Sequence, residues 1–236
     1  MRNTFAIAKR ELDAYFASPI AYVVSAAILA IFGYFFSIIL FFSKQASLRQ
    51  LFSQITVVFI FVIPLLTMRL LAEERRSGTI ELLLTSPVRD WEVILGKFLA
   101  SFGLYVLMLV PTLYYVLVLK IFGNPDGGPI VSVYLGLLLL GAALLSLGTF
   151  ASALTSNQIV SAMLGVGLIL IWWLIPSAAE FVNEPAKGIL TYLGLSSHFF
   201  DLAKGVIDTR DVVFYLSVIA GALFLATRAL ETRRWR

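Results

Sequence analysis

Between its charged residues this chain holds five uncharged, largely apolar runs: Ile20–Phe42, Leu51–Met68, Phe98–Leu119, Ile130–Ala179 and Val212–Thr227. About 20 apolar residues in a helix cross the roughly 30 Å hydrocarbon core of a bilayer. Inside that core every backbone N–H and C=O needs an internal partner, so runs of this kind are read as helices. The fourth run is twice as long as one helix needs, and Thr155-Ser156-Asn157-Gln158 interrupts it with polar, turn-forming residues. Divided there, the chain has six spans, expected at 20–42, 51–71, 98–119, 130–154, 159–179 and 212–228. Composition agrees: 60% of the 236 residues are hydrophobic and 14% are charged, more apolar surface than a soluble domain of this length can bury.

Six spans return the chain to the side on which it began. Of the eighteen Lys and Arg, twelve fall on the side of the termini, including Arg2, Arg75, Arg76, Arg89 and Arg234. Only Lys44, Arg49, Lys120, Lys187, Lys204 and Arg210 fall on the other. The positive-inside rule therefore places both termini and segment 72–97 in the cytoplasm of a prokaryotic inner membrane protein. No Asp, Glu, Lys, Arg or His lies within the uncharged cores. Ion-coupled carriers usually keep such groups at mid-membrane, so the energy source is expected outside this chain. No Gly-x-x-x-x-Gly-Lys-Ser/Thr sequence occurs to cradle ATP phosphates.

Cysteine is absent, which removes disulfides, thiolate metal sites and cysteine nucleophiles. His198, the one histidine, has no second imidazole beside it to build a metal site. No cofactor is expected here. The net charge of +4 follows from placement against the membrane and implies no nucleic-acid partner. Met1 to Ser18 mixes charged with apolar residues, so no cleavable signal peptide is expected.

The densest polar cluster is Glu73-Glu74-Arg75-Arg76-Ser77-Gly78-Thr79-Ile80-Glu81-Leu82-Leu83-Leu84-Thr85-Ser86-Pro87. The second span should continue as helix through Arg76, with Gly78 as the residue that stops it. Thr79 can cap a new helix with Glu81 in its first turn, where the dipole favours an acid. That helix, Ile80 to Thr85, is far too short to span. Ser86 then caps a third helix with Pro87 at its first position. The elbow so formed presents a Leu82-Leu83-Leu84 knob within a collar of both charge signs. A solvated loop resting its leucines on the membrane is the plainer alternative. The mixed collar suits a protein partner better than an anionic lipid surface.

At these residues the chain resembles the permease subunits of ABC-2 type transporters. Glu73, Glu74, Ser77, Gly78, Thr79, Glu81, Leu82, Leu83, Ser86, Pro87, Trp91, Gly96 and Lys97 fit that family's signature, and the likeness is closest to its gliding-motility-type branch. It extends to the Lys9-Arg10-Glu11 start and the Leu230-Glu231-Thr232-Arg233-Arg234-Trp235-Arg236 end. The resemblance implies an all-α, six-span fold of the type V exporter kind with a coupling helix near 79–87. Glu73, Glu74, Arg75, Ser77, Gly78, Thr79, Glu81, Leu82, Leu83, Thr85, Ser86 and Pro87 are then the residues expected to meet an ATPase subunit. ATP and magnesium are bound by that partner chain, and a second permease copy, or a homologous one, completes the path. An extracytoplasmic auxiliary subunit is a further implied partner.

The resemblance also implies an amphipathic N-terminal helix on the inner leaflet. The residues support it independently: Phe5, Ile7, Leu12, Tyr15 and Phe16 are interspersed with Lys9, Arg10, Glu11 and Asp13. Lys9, Arg10, Glu11 and Tyr15 are its candidate interfacial residues; a simple juxtamembrane anchor is the alternative. The helix should stop near Ser18-Pro19. Segment 180–211 is too short to span and too apolar to float, and fits a broken helix dipping back into the outer leaflet. Trp172, Trp173 and Tyr192 are expected as interfacial anchors. The function implied is an exporter permease without catalysis of its own. A force-transmitting membrane subunit acting on an outer partner remains the alternative.

Overall fold

A computed structural model describes residues 2–43, 49–79, 88–123 and 125–234. They form helices α1 (Arg2–Ala17), α2 (Pro19–Ser43), α3 (Arg49–Thr67), α4 (Arg69–Arg76), α5 (Asp90–Leu109), α6 (Leu113–Phe122), α7 (Gly127–Leu154), α8 (Gln158–Ala178), α9 (Ala186–Leu193), α10 (Leu195–Ala203) and α11 (Thr209–Arg234). No strand occurs among the described residues. Six stretches are long and apolar enough to cross a membrane: Ala21–Phe42, Gln50–Arg76, Asp90–Phe122, Gly127–Leu154, Gln158–Phe181 and Thr209–Thr232. The protein is an all-α, six-span membrane protein.

α7 is the axis of the bundle. It packs on α3, α4, α5, α8, α10 and α11, and an unbroken run from Leu140 to Thr149 is buried. Rings fill the space between α2, α3 and α5: Phe32 meets Phe59 at 5.6 Å and Phe59 meets Tyr105 at 5.2 Å, both edge to face. The Tyr105 hydroxyl donates to the Leu137 carbonyl at 2.8 Å, so its polar tip is satisfied inside the apolar core. α2 and α8 lie at the periphery, with Phe41 79% and Ile171 67% exposed. Such faces meet lipid or another subunit.

The helix breaks have identifiable causes. Asn157 caps α8, its side chain accepting from the Ile159 N–H at 2.9 Å and the Val160 N–H at 3.4 Å. Pro111 lacks a donor, and a single 3₁₀ turn, Val110–Thr112, divides the third span into α5 and α6. The sequence reading ran straight through that break. It also started the helix after the elbow at Pro87, whereas α5 begins at Asp90. There the Glu92 carboxylate accepts from the Arg89 N–H at 3.1 Å, a cap that fixes the first turn.

Short helices gather at both ends. At the end carrying the chain termini, α1 lies against α5, and a bend at Ser18 separates it from α2. At the far end, α10 packs onto α7 and α8 with Leu195, Phe199 and Leu202 fully buried, while α9 buries no residue.

Candidate functional site

α4 carries the second span out of the bundle, and its start is held from outside. Pro64 removes one donor from α3, and the helix loosens into a turn at Met68 before resuming at Arg69. The hydroxyl of Ser152, on α7, fills the gap. It accepts from the Leu71 N–H at 3.0 Å and the Ala72 N–H at 3.2 Å and donates to the Met68 carbonyl at 3.1 Å. One hydroxyl thus uses both lone pairs and its proton. One turn earlier on α7, a Cβ at Gly148 would lie 2.2 Å from Thr67 Oγ1, so α7 reaches the break only with glycine there.

Beyond the break α4 ends in charge, and the charge is paired inward. Lys97, two turns into α5, is 1% exposed at its side chain. Its Nζ lies 3.0 Å from Glu11 Oε1 of α1 and 2.8 Å from Glu74 Oε1 of α4. The Arg10 guanidinium closes the cluster from the rim, 3.1 Å from Glu11 and 3.6 Å from Glu74. Two cations and two carboxylates therefore balance, and the most buried of them touches both acids. An ammonium out of water is tolerable only when paired in this way.

Three further contacts tie α1 down. The Tyr15 hydroxyl donates to the Leu66 carbonyl at the end of α3, at 2.8 Å. Burial first, and the Glu11 charge second, push that phenol above its ordinary pKa, against a smaller opposing effect of Arg69. It stays a neutral donor. Asn3 donates to Glu92 at 3.4 Å. Gly96, beside Lys97, leaves room for α1: a Cβ there would sit 2.8 Å from the Ile7 side chain. A cavity of about 140 Å³ opens beside the cluster, lined by Glu11, Ala14, Tyr15, Ser18, Arg69, Leu70, Glu73, Glu74 and Lys97.

The family model described as "ABC-2 family transporter protein" matches residues 22–226. The chain belongs to this family. Relatives of the ABC-2 chain include the "Probable multidrug ABC transporter permease YbhR" of Escherichia coli (strain K12) and of Escherichia coli O157:H7. Each is 26% identical over 164 residues, covering 66% of this chain and 42% of the relative. The chain thus spans less than half the length of these relatives. Six apolar helices and this membership make it a multi-pass protein of the prokaryotic inner membrane.

The matched region of this ABC-2 protein takes in the spans and α4 but begins after α1, which nonetheless supplies two of the four charges. Of the candidate coupling residues, Glu73 and Glu74 line the cavity. Glu74 is already engaged by Lys97, and the shielded Oε2 of Glu73 has no hydrogen-bond partner among the described residues. Arg75 is half-buried. The Ser77 hydroxyl donates to the Glu73 carbonyl at 2.9 Å, and Thr79 stands 2.9 Å from Ser77. Gly78 takes φ +72°, the left-handed conformation that ends a helix and favours glycine. Glu81, Leu82, Leu83, Thr85, Ser86 and Pro87 lie outside the described residues.

Of the interfacial residues, Lys9 and Arg10 are exposed, Arg10 and Glu11 take part in the charge cluster, and Tyr15 bonds to the end of α3. Sequence reasoning noted Lys97 only as part of a motif and passed over Ser152. A lysine at the mouth of a span after a run of mixed charge is the signal that could have been weighed. A serine inside an apolar run carries none. Trp172 and Trp173 were expected to anchor at the interface. The Trp172 indole N–H donates to the Leu193 carbonyl at 2.6 Å, and the Trp173 carbonyl accepts from Ser196 at 3.1 Å, so both also hold the far-end helices.

Proposed function

We propose that this chain is the transmembrane subunit of an ABC exporter. A separate ATPase docks on segment 79–87, and its stroke enters the bundle through the cluster around Lys97. The observation that carries this reading is the doubly paired, buried Lys97: it fastens the elbow helix α4 to both α1 and α5. A push on segment 79–87 is then delivered to two other helices as well as to α3. The break at Met68, bridged by Ser152, is where α4 can pivot against α3.

Family membership supports the subunit role, and the likeness to multidrug ABC transporter permeases supports transport. ATP and magnesium belong to the partner chain in this reading, and two permease copies form the path, because six helices make a poor enclosed conduit. The chain itself performs no hydrolysis. The resemblance of the elbow signature supports Glu81, Leu82 and Leu83 as the groups that enter a groove of the ATPase.

The test is co-expression with the partner ATPase, followed by reconstitution into vesicles. Glu81→Lys should abolish association of the ATPase while the permease remains inserted. Lys97→Arg, which preserves charge but not the compact ammonium geometry, should leave association intact and lower transport per ATP hydrolysed. Full association and coupling in both variants would overturn the proposal. ATP-dependent movement with no cargo crossing the vesicle would favour the force-transmitting alternative.

A further inference from the structure

At the far end, the His198 imidazole lies within a bundle of rings and is 5% exposed, as is Asp211. Nδ1 is 2.6 Å from Asp211 Oδ1, at the first turn of α11. Nε2 is 2.7 Å from the Tyr192 carbonyl, at the last turn of α9. A backbone carbonyl can only accept, and so can an ionised carboxylate. With Asp211 ionised, both ring nitrogens therefore face acceptors, and both contacts are then hydrogen bonds when both nitrogens carry hydrogen.

We propose that His198 is held as an imidazolium, and that this bound proton is the latch fastening α9 and α10 to the last span. Three surroundings stabilise the cation. Asp211 supplies the counter-charge. The end of α9 offers an orphan carbonyl on the negative side of the helix dipole. The Phe214 ring stacks on the imidazole at 4.0 Å between centroids, where its face attracts a cation. Asp211 in turn depends on this proton, because its shielded Oδ2 has no hydrogen-bond partner among the described residues. Removing the proton sets a lone pair against an acceptor oxygen and leaves a buried carboxylate uncompensated.

Tyr192 and Tyr215 stand edge-on to the imidazole at 5.2 and 6.3 Å between ring centroids. The Tyr215 hydroxyl donates to the Leu195 carbonyl at 2.8 Å and is already occupied. α7 and α8, which also pack on α10, contain no Asp, Glu, Lys or Arg, and α3, which packs there too, has Arg49 as its one such residue. Asp201 and Lys204 pair with each other in solvent at 2.5 Å. On the approach to α11, Asp208 accepts from the Arg210 N–H and Arg210 is exposed. Lys187 on α9 is exposed as well.

The sign follows directly. The latched form binds one proton more than the released form, so raising the pH releases the segment. In a six-span chain this end opposes the elbow, and docking of α9 and α10 then answers to the pH of the compartment opposite the ATPase. This inference does not rest on the exporter reading, and its test uses no ATPase.

The chain has a single histidine, so ¹⁵N-histidine labelling of the full chain in micelles reports this ring alone. At neutral pH both nitrogens should read as protonated, and in Asp211→Asn one should lose its proton at a lower pH than in the unaltered chain. A ring with one N–H at neutral pH in the unaltered chain overturns the proposal, as does an Asp211→Asn titration that coincides with it. A cysteine at Ser196, which is 7% exposed, reads the release against one at Ile189, which is 60% exposed. The ratio of maleimide labelling should rise at least about tenfold at alkaline pH, as expected for loss of a charge-assisted hydrogen bond. Tyr215→Phe removes a hydrogen bond but no charge, and should loosen the segment equally at every pH. A labelling ratio in the unaltered background that stays flat across the titration of the ring also overturns the latch.

Discussion

At the elbow end four charged side chains from three helices converge around Lys97, whereas at the far end one imidazole and one carboxylate share their work with backbone carbonyls. The difference follows from what each end must fasten. α4 and α1 bring side chains with full charges of opposite sign, and the cluster is neutral only when both acids and both bases are in place. α9 and α10 are short, and their exposed ends are carbonyls. Trp172, His198 and Tyr215 therefore donate to Leu193, Tyr192 and Leu195 in turn. A junction of charges can pass a push from helix to helix, because each buried charge follows its partner. A junction of carbonyl caps mainly holds a fixed shape, and in the proposed latch the protonation of its imidazole makes that shape conditional.

The strongest way to break this comparison is to remove the buried cation. Lys97→Met leaves Glu11 and Glu74 with only the rim guanidinium of Arg10, and loss of one member of a buried ion pair costs about 3–5 kcal/mol. Thermal unfolding in detergent should show that loss. The double variant Lys97→Met/Glu74→Gln should recover part of it, since the two sites share one network. Strict additivity would mean that the ammonium and the carboxylate do not depend on one another.

The next effect is smaller and uncharged. Ser152→Ala removes the hydroxyl that meets two N–H groups and one carbonyl at the α3–α4 break, and a group left unpaired there costs about 1–3 kcal/mol, with water at the membrane edge relieving part. Ser152→Thr keeps the hydroxyl and should retain more stability than alanine. In the exporter reading, Ser152→Ala should also lower transport per ATP more than it lowers ATPase association. Equal loss of both would make Ser152 a stabilising clasp and nothing more.

What the sequence made legible depended on distance along the chain. The six spans follow from uncharged runs, and the stop at Gly78 follows from a residue whose conformation few others adopt. The tight turn before α8 is written in Asn157. By contrast, Lys97 and Glu11 are 86 positions apart, and Ser152 acts on a helix more than 80 positions away. Nothing local marks either contact. The same holds for His198: composition excludes a metal site of several imidazoles or thiolates, but only the fold brings Asp211 and the Tyr192 carbonyl to its two nitrogens. α1 was expected to lie along the inner leaflet because its apolar residues alternate with charges. In the bundle Arg10 and Glu11 also find protein partners, and Ile7 and Thr4 face α5 across Gly96.

A milder change probes α1 alone. Tyr15→Phe keeps the ring and deletes the hydrogen bond to the Leu66 carbonyl, a loss of about 0.5–1.5 kcal/mol. Because burial keeps this phenol protonated, the stability difference between the unaltered chain and the Tyr15→Phe variant should be the same at pH 6 and pH 9. A difference that shrinks at alkaline pH would show the hydroxyl titrating, and the contact would then belong to the solvated rim.

The smallest effect is expected at the rim itself. Arg10 sits 61% exposed at its side chain, against 1% for Lys97, although both contact the same two carboxylates. Water screens its attraction, and holding a long side chain in place costs entropy, so an exposed pair of this kind contributes about 0–1 kcal/mol. Arg10→Ala should therefore change stability by less than a quarter of the Lys97→Met loss. What difference there is should fade between low salt and physiological ionic strength, where the Debye length falls to about 8 Å. The Lys97→Met loss, made where salt does not reach, should persist. If Arg10→Ala matched Lys97→Met, or if the Lys97→Met loss vanished in salt, burial would not be what distinguishes the two cations. The elbow end would then be a surface charge cluster, with no rigid path from α4 into α1 and α5.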